Sequence, residues 1–163
     1  MNKAKLVSAI CEMLEEDRIR LKEAARATYE AATHEESKPE NEYDTRGLEA
    51  SYLAGAQAQR VADTEEILFT FRTLEKTLSD GRGLKSEKVI STSLVEVESD
   101  GRKSLVFLMP KGGGIALKFE GSAVQVVTPS SPLGGALIGL VVGDVATIEA
   151  GAQVREYDVL RVE

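Results

Sequence analysis

The sequence predicts an α+β protein, in which an N-terminal antiparallel helical hairpin (coiled coil) is followed by a mainly antiparallel β domain with one short helix. Two observations support this division. Up to about residue 78, apolar residues recur at spacings of three, four and seven, as on one face of an α-helix. From about residue 87, short runs rich in β-branched residues alternate with turn residues, as in a series of strands.

The first helix is predicted to run to about residue 34, which corresponds to a length of about 45 Å at about 1.5 Å per residue. Large apolar side chains occupy the first part of its inner face, and small ones continue that face. The large residues are Leu6, Ile10, Met13 or Leu14, and Leu21, and the small ones are Ala24, Ala25, Thr28, Ala31 and Ala32. Small inner residues would let a second helix approach closely toward the far end.

The segment between the two helices is acidic. It carries Glu35, Glu36, Glu40, Glu42 and Asp44. A helix is not expected to continue through Pro39, because proline lacks an amide hydrogen and clashes with the preceding turn. We interpret residues 35–44 as the tip of the hairpin, which would present carboxylates to a distant partner. The alternative is an ordinary solvated turn between helices.

The second helix is predicted to start near Asn41 or Asp44, since either side chain can cap a helix N-terminus. Its predicted inner face comprises Leu48, Leu53, Val61, Ile67 or Leu68, Phe71, Leu74 and Leu78, with Ala50, Ala54, Ala56 and Ala58 near the tip. Ser79-Asp80-Gly81-Arg82-Gly83 is a stop signal. The hairpin is therefore assigned to residues 1–78, and residues 79–86 are the predicted linker.

Residues 87–163 form the predicted β domain. Strands are expected around residues 89–90, 94–97, 105–108, 115–119, 124–127, 145–148 and 157–162. One short helix, Leu133 to Ile138, is predicted to begin with a Ser N-cap and with Pro132 in its first turn. Gly139 would end it.

Composition and charge narrow the functional classes. The chain has 163 residues, 42% of them hydrophobic, and a net charge of −7. Direct binding to duplex DNA is therefore not expected, because an acidic surface repels phosphates. The single Cys11 cannot form an internal disulfide and suits a reducing compartment. The N-terminus does not read as a secretory signal and no stretch is apolar enough to span a membrane, so we expect a cytoplasmic protein.

Motifs in both halves carry a family resemblance. The run Val126-Val127-Thr128-Pro129-Ser130-Ser131-Pro132-Leu133-Gly134, followed by Ala136-Leu137-Ile138-Gly139, Gly143-Asp144 and Arg155-Glu156-Tyr157-Asp158-Val159-Leu160, resembles the SPLG-x-ALLG-x-x-x-GD and EYEIL pattern of the bacterial Gre transcript-cleavage factors. In the helical half, Glu40-Asn41 and Glu42-Tyr43 resemble the tip motif D-x-x-E-N-A-x-Y. The likeness covers essentially the whole chain.

This resemblance implies a fold and a function. The fold is a coiled coil with an acidic tip joined to an FKBP-like domain, and the partner is RNA polymerase, whose secondary channel the coil enters. The tip acids would then help the polymerase cleave backtracked RNA. The tip residues implied are Glu36, Glu40 and Glu42, of which Glu36 and Glu40 would share Mg²⁺ with the polymerase. The docking residues implied are Ser131, Pro132, Leu133 and Gly134.

Such a protein would have no cofactor and no enzymatic activity of its own, because two carboxylates are too few to hold Mg²⁺ alone. RNA would be met only as a 3′ end inside the polymerase complex. Three alternatives remain. The tip lacks the Ala of the motif, and each alignment keeps one of its two acids, which leaves open a channel-binding regulator or inhibitor without cleavage. A coiled-coil scaffold and an FKBP-like prolyl isomerase are the other two.

Overall fold

The computed structural model describes residues 2–33, 46–83, 86–150 and 153–163. Two long helices come first, α1 (Lys3–Thr33) and α2 (Arg46–Ser79). Both predicted helices are therefore confirmed, whereas the predicted start of the second near Asn41 or Asp44 lies outside the described residues. The C-terminus of α2 is capped by its own backbone: the amide of Gly81 (φ 68°) donates to Leu78 O at 3.1 Å, and that of Arg82 donates to Thr77 O at 3.0 Å. This pair of hydrogen bonds, with a glycine in the left-handed conformation, satisfies carbonyls that the helix leaves open.

Ion pairs between the two helices establish that they are antiparallel. Arg72 bonds Glu15 at 3.0 Å, and Lys22 bonds Glu65 at 2.6 Å. The residue numbers on α2 therefore decrease as those of their partners on α1 increase, as in an antiparallel pair. The coiled-coil part of the predicted fold is confirmed.

The interior of the hairpin follows a heptad repeat. Steps of three and four connect its less exposed positions, which are Cys11, Leu14, Arg18, Leu21, Ala25 and Thr28 on α1 and Ala50, Ala54, Gln57, Val61, Thr64, Leu68 and Phe71 on α2. This is the spacing of two helices that pack along a common seam. The largest side chains of this interior, including Phe71 at 0% exposure, lie in the half away from the tip.

Four predicted inner residues of the second helix are wrong. Leu48 is 58% exposed, Leu53 is 52% exposed, and Ala56 and Ala58 are also exposed. The heptad that includes Val61 and Leu68 instead brings Ala50 and Ala54 inward, and neither leucine falls on that repeat. The two leucines were predicted to face inward because their side chains are large and apolar. The phase of the repeat is instead set by the larger buried residues farther along α2.

The second half forms a six-stranded sheet in the order β3-β4-β2-β1-β6-β5. The strands are β1 (Leu94–Ser99), β2 (Arg102–Leu108), β3 (Ala116–Phe119), β4 (Ser122–Val127), β5 (Val145–Ala150) and β6 (Gln153–Val162). All neighbours are antiparallel except β2 and β4, which are parallel. The predicted mainly antiparallel domain is thus confirmed, and α3 (Pro132–Leu137) is its short helix.

The predicted strand at Val89-Ile90 is wrong. Val89 is fully buried, but its backbone bonds Leu140 O and Gly139 N, at 2.8 Å each, in the connection after α3. Val89 thus packs in the core although its segment is not part of a strand. Around it, one buried cluster joins the sheet to α3: Val95, Val97, Val106, Leu108, Val127, Leu137, Ala146 and Val159.

The described chain groups into two compact units, Ser8–Arg72 and Met1–Val7 with Thr73–Glu163. The second unit therefore contains the sheet together with the N-terminal end of α1 and the C-terminal end of α2. Lys3 Nζ donates to Glu163 O at 3.0 Å inside it. Burial lowers the pKa of Lys3, and the Glu163 charge opposes this shift. The domain boundaries 1–78, 79–86 and 87–163 stay a prediction.

None of the helices formed by the described residues has the length and apolarity needed to cross a membrane.

Candidate functional site

The predicted tip acids Glu36, Glu40 and Glu42 lie outside the described residues. Their assignment as tip carboxylates, and that of Glu36 and Glu40 as Mg²⁺ ligands, stays a prediction. The described helices end at Thr33 and begin again at Arg46, which leaves 12 residues to connect two antiparallel helices. Carboxylate oxygens are the ligand type that Mg²⁺ prefers, so the donor set fits the ion. Within the described parts of the chain, no group of three or more His, Cys, Asp or Glu is placed to hold a metal.

A network of charged side chains fixes the register of the hairpin. Glu15 accepts a hydrogen bond from Arg18 on its own helix and another from Arg72 on α2. Glu65 accepts from Lys22 at 2.6 Å and lies 3.5 Å from Arg18. The hydrogen bond from Arg18 holds the pKa of Glu15 below its ordinary value, and that from Lys22 does the same for Glu65. Both carboxylates therefore contact basic side chains of the hairpin itself.

In the half of the hairpin nearer the tip, the inward side chains are small or polar. Its inward positions are Ala25, Thr28, Ala50, Ala54 and Gln57, and each is only half-buried. The Gln57 side-chain oxygen is buried, and the structure gives it no hydrogen-bond partner in the described chain. An inward polar residue of this kind weakens a coiled coil while restricting its register.

In the β domain, the predicted docking residues begin at the N-terminus of α3. Ser131 is its N-cap, as predicted: its hydroxyl accepts from Gly134 N at 3.1 Å and donates to Thr128 O at 2.7 Å. Pro132 occupies the first turn, where a missing amide hydrogen has no cost. The predicted Ser and Pro signals are thus confirmed, with the helix one residue earlier than expected.

The four docking residues differ in how much surface they offer. Pro132 is exposed, Ser131 and Leu133 are half-buried, and Gly134 is buried. A Cβ atom at Gly134 would lie 2.0 Å from Thr128 O. Gly134 therefore lets α3 pack directly on the loop that precedes it. A role for these four residues in partner binding stays a prediction.

Sequence reasoning missed three exposed apolar residues between the end of α3 and the start of β5. Ile138, Val142 and Val145 are 46%, 57% and 45% exposed. The available signal was the charge pattern: no charged residue occurs from Gly121 to Gly143, in a chain that is 29% charged. Depletion of charge is typical of protein–protein contact surfaces.

The aromatic residues of the β domain do not favour the isomerase alternative. Phe107 is fully buried and cannot line a cleft. Phe119 and Tyr157 are half-buried, and Tyr157 packs against the core cluster.

Comparison with known proteins identifies relatives for the whole chain. Residues 85–163 match the family model "Transcription elongation factor, GreA/GreB, C-term". The curated transcription elongation factor GreA of Methylococcus capsulatus is 29% identical over 167 residues, covering 99% of this chain and 98% of its own length. That of Alkalilimnicola ehrlichii is 28% identical over 168 residues, with the same coverage.

Solved structures similar to this chain include two homologues of GreA. The GreA factor homolog 1 (Gfh1) of Thermus thermophilus is 24% identical, covers 94% of each chain and gives a TM-score of 0.35. Gfh1 of Thermus aquaticus is 28% identical, covers 96% of this chain and 92% of its own, and gives a TM-score of 0.37.

Proposed function

The resemblance to the Gre family is confirmed, since residues 85–163 match its C-terminal domain and curated GreA relatives align along the chain, and on that premise we propose that this protein binds bacterial RNA polymerase. It would enter the secondary channel and modulate backtracked or paused elongation complexes. The observation that carries the proposal is the end-to-end alignment, which includes both the helical half and the β domain. The protein would act in the cytoplasm, without a membrane and without direct contact to duplex DNA.

The antiparallel hairpin supports this proposal physically. Its helices have 31 and 34 residues, or roughly 46 and 51 Å at about 1.5 Å per residue. The segment between them carries five acids and, apart from His34, a single basic residue, Lys38. A helical pair of this length can present carboxylates well away from its other end.

Cleavage stimulation is the first form of the proposed activity. Glu36 and Glu40 would hold Mg²⁺ together with ligands of the polymerase, and Glu42 would add negative charge beside them. The bound ion would supply polarisation of a phosphoryl oxygen and activation of water. The contribution of this chain is to hold its carboxylates in place, so it would complete the site of another enzyme.

Occupation of the channel without cleavage is the second form. Two features of the tip sequence keep this form open as the alternative: the Ala of the family motif is absent between Asn41 and Glu42, and Pro39 stands between Glu36 and Glu40. If the two carboxylates do not converge, the protein would still bind and would slow or retune the polymerase. A non-enzymatic scaffold role would require no polymerase binding at all.

One assay separates these forms. Stalled elongation complexes with a labelled RNA 3′ end are mixed with the protein and Mg²⁺. Release of short 3′ fragments is expected from the wild type, with a loss of at least about tenfold in Glu36→Ala or Glu40→Ala. The matched control is Glu23→Ala, an exposed acid on α1 that should retain full activity. Slowed synthesis without fragments would support the inhibitor, and failure to bind polymerase would reject the proposal.

A further inference from the structure

Helix α2 contains a stretch without any charged residue. It runs from Ala50 to Gln59, between Glu49 and Arg60, and has the sequence ASYLAGAQAQ. Seven of its ten side chains or glycine positions are exposed: Ser51, Tyr52, Leu53, Gly55, Ala56, Ala58 and Gln59. The outward face of a surface helix is normally charged. Here nearly three turns of outward helix surface carry no charge, in a chain that is 29% charged.

The exposed members include large apolar groups. Tyr52 is 72% exposed and Leu53 is 52% exposed, and Leu48, which precedes the stretch beyond Glu49, is 58% exposed. Leu48, Tyr52 and Gly55 follow one another at steps of four and three, so they lie on one face of α2. Tyrosine enrichment and charge depletion are what distinguish the centre of a protein contact from ordinary surface.

Gly55 relieves no close contact within the described part of the hairpin. A Cβ atom built at this position would meet no atom of the described residues within 4 Å. Glycine in a helix interior costs stability relative to alanine, because it loses more conformational freedom on folding. A glycine that costs stability and relieves no internal contact is explained if another surface approaches the α2 backbone there.

Two polar side chains of this stretch are already hydrogen-bonded within α2. Ser51 Oγ donates to Gly47 O at 2.9 Å, and Gln59 Nε2 donates to Asp63 Oδ1 at 2.7 Å. Covering the stretch would leave these two donors paired, so their own desolvation penalty would be small.

We propose that this uncharged face, defined as Tyr52, Leu53, Gly55, Ala56 and Gln59, contacts an uncharged, largely apolar wall of RNA polymerase. The proposal rests on the proposed function. A ten-residue helical stretch is about 15 Å long and about 10 Å wide. That footprint is far below the roughly 800 Å² that each partner of a stable dimer buries, so a second copy is not the occupant. It suits a secondary contact of a host enzyme that is also held elsewhere.

The test measures the affinity of the full chain for RNA polymerase core enzyme at low and high salt. Gly55→Leu fills the space above the backbone, and Tyr52→Ala removes the aromatic anchor. Each is expected to weaken binding about tenfold. The ratio to wild type should be the same at both salt concentrations, because the face is uncharged. The control is Ala27→Leu, a small-to-large change at a position on α1 that is also exposed, which should stay within about twofold of wild type.

The thermal stability of the free protein separates loss of contact from misfolding. The melting temperature of Gly55→Leu should equal or exceed that of wild type, since leucine is the better helix former. Higher stability with weaker binding cannot arise from misfolding. Equal affinities for wild type, Gly55→Leu and Tyr52→Ala would overturn the face while leaving the proposed function intact, as would equal losses in Gly55→Leu and Ala27→Leu.

Two results would reject the polymerase as occupant. A wild type that binds no polymerase would remove the proposed function together with this contact. A wild type that sediments as a dimer, with Gly55→Leu as a monomer, would assign the face to a second copy.

Discussion

Replacing Gly134 by alanine would place a methyl group 2.0 Å from Thr128 O and 2.7 Å from Thr128 C. Both neighbours are backbone atoms, so no side-chain rotation can relieve the overlap. Either α3 or the loop from Thr128 to Ser131 must move. That movement would break the hydrogen bonds that Ser131 makes with Thr128 O and Gly134 N.

The expected cost follows from these contacts. Overpacking a rigid site typically costs about 1–3 kcal/mol, and contact with backbone at this distance places Gly134→Ala at about 3 kcal/mol. Loss of the N-cap is included in that figure, because the cap would be displaced by the same movement. The neighbouring Gly135 offers a matched control. Its added Cβ would lie 3.3 Å from Pro129 O, and the gain in helix propensity would bring the net effect near zero.

Hydrogen exchange of the sheet measures this change in the full chain. The slowest amides of β1 and β2 report the opening of the whole β domain. A loss of about 3 kcal/mol would accelerate their exchange roughly a hundredfold in Gly134→Ala, with little change in Gly135→Ala. Equal exchange in Gly134→Ala and wild type would refute the close packing of α3 on its loop.

Three further outcomes are expected. Phe71→Ala should cost about 3–5 kcal/mol of hairpin stability, measured by thermal unfolding with circular dichroism, because Phe71 is fully buried. Phe69→Ala should cost less than about 1 kcal/mol, because Phe69 is 73% exposed. Similar costs for the two variants would contradict the assigned phase of the repeat. The pKa of Glu15 is lowered in the folded state by the hydrogen bond from Arg18, so its contribution is present above the ordinary carboxyl pKa and is lost as pH falls through the lowered value. Helicity should accordingly drop on acidification in wild type and less steeply in Glu15→Gln, and parallel curves would exclude this origin. Ser131→Ala should destabilise the β domain by about 1 kcal/mol through loss of the N-cap, and Ser130→Ala, which leaves the cap in place, should change it less.

Local signals in the sequence predicted the features that depend on neighbouring residues. Ser131 and Pro132 marked the start of α3, since capping and proline geometry involve only the first helical turn. The Asp80-Gly81 signal marked the end of α2 for the same reason. The change in hydrophobic period near residue 85 separated helices from strands.

Features set by distant residues could not be predicted in the same way. The parallel pairing of β2 with β4 places Leu105 beside Val124, although β3 lies between these strands in the sequence. The phase of the α2 heptad near Ala50 is fixed by Val61 and Leu68, which lie several turns away. Val89 enters the core through hydrogen bonds to the connection after α3, which no local pattern encodes.

Some features of the candidate site could be predicted from the sequence, and others could not. The capped helix start at Ser131 and Pro132 was predicted correctly and its docking role stays a prediction, whereas the burial of Gly134 depends on its contact with Thr128 O. The exposed residues Ile138 and Val142 carry no individual signal, and only the absence of charge around them could have indicated a surface. The positions of Glu36, Glu40 and Glu42 relative to one another depend on the turn around Pro39, which stays a prediction.

The seam of the hairpin repeats every seven residues with small side chains near its far end. Removing seven residues from each helix there would bring equivalent positions back into line, and each such step shortens the pair by about 10 Å. Removing a number that is far from a whole set of turns, such as five or nine, would rotate one helix against the other and turn its inner face away from the seam. The length of the hairpin can therefore change without loss of the seam only in steps that preserve the repeat.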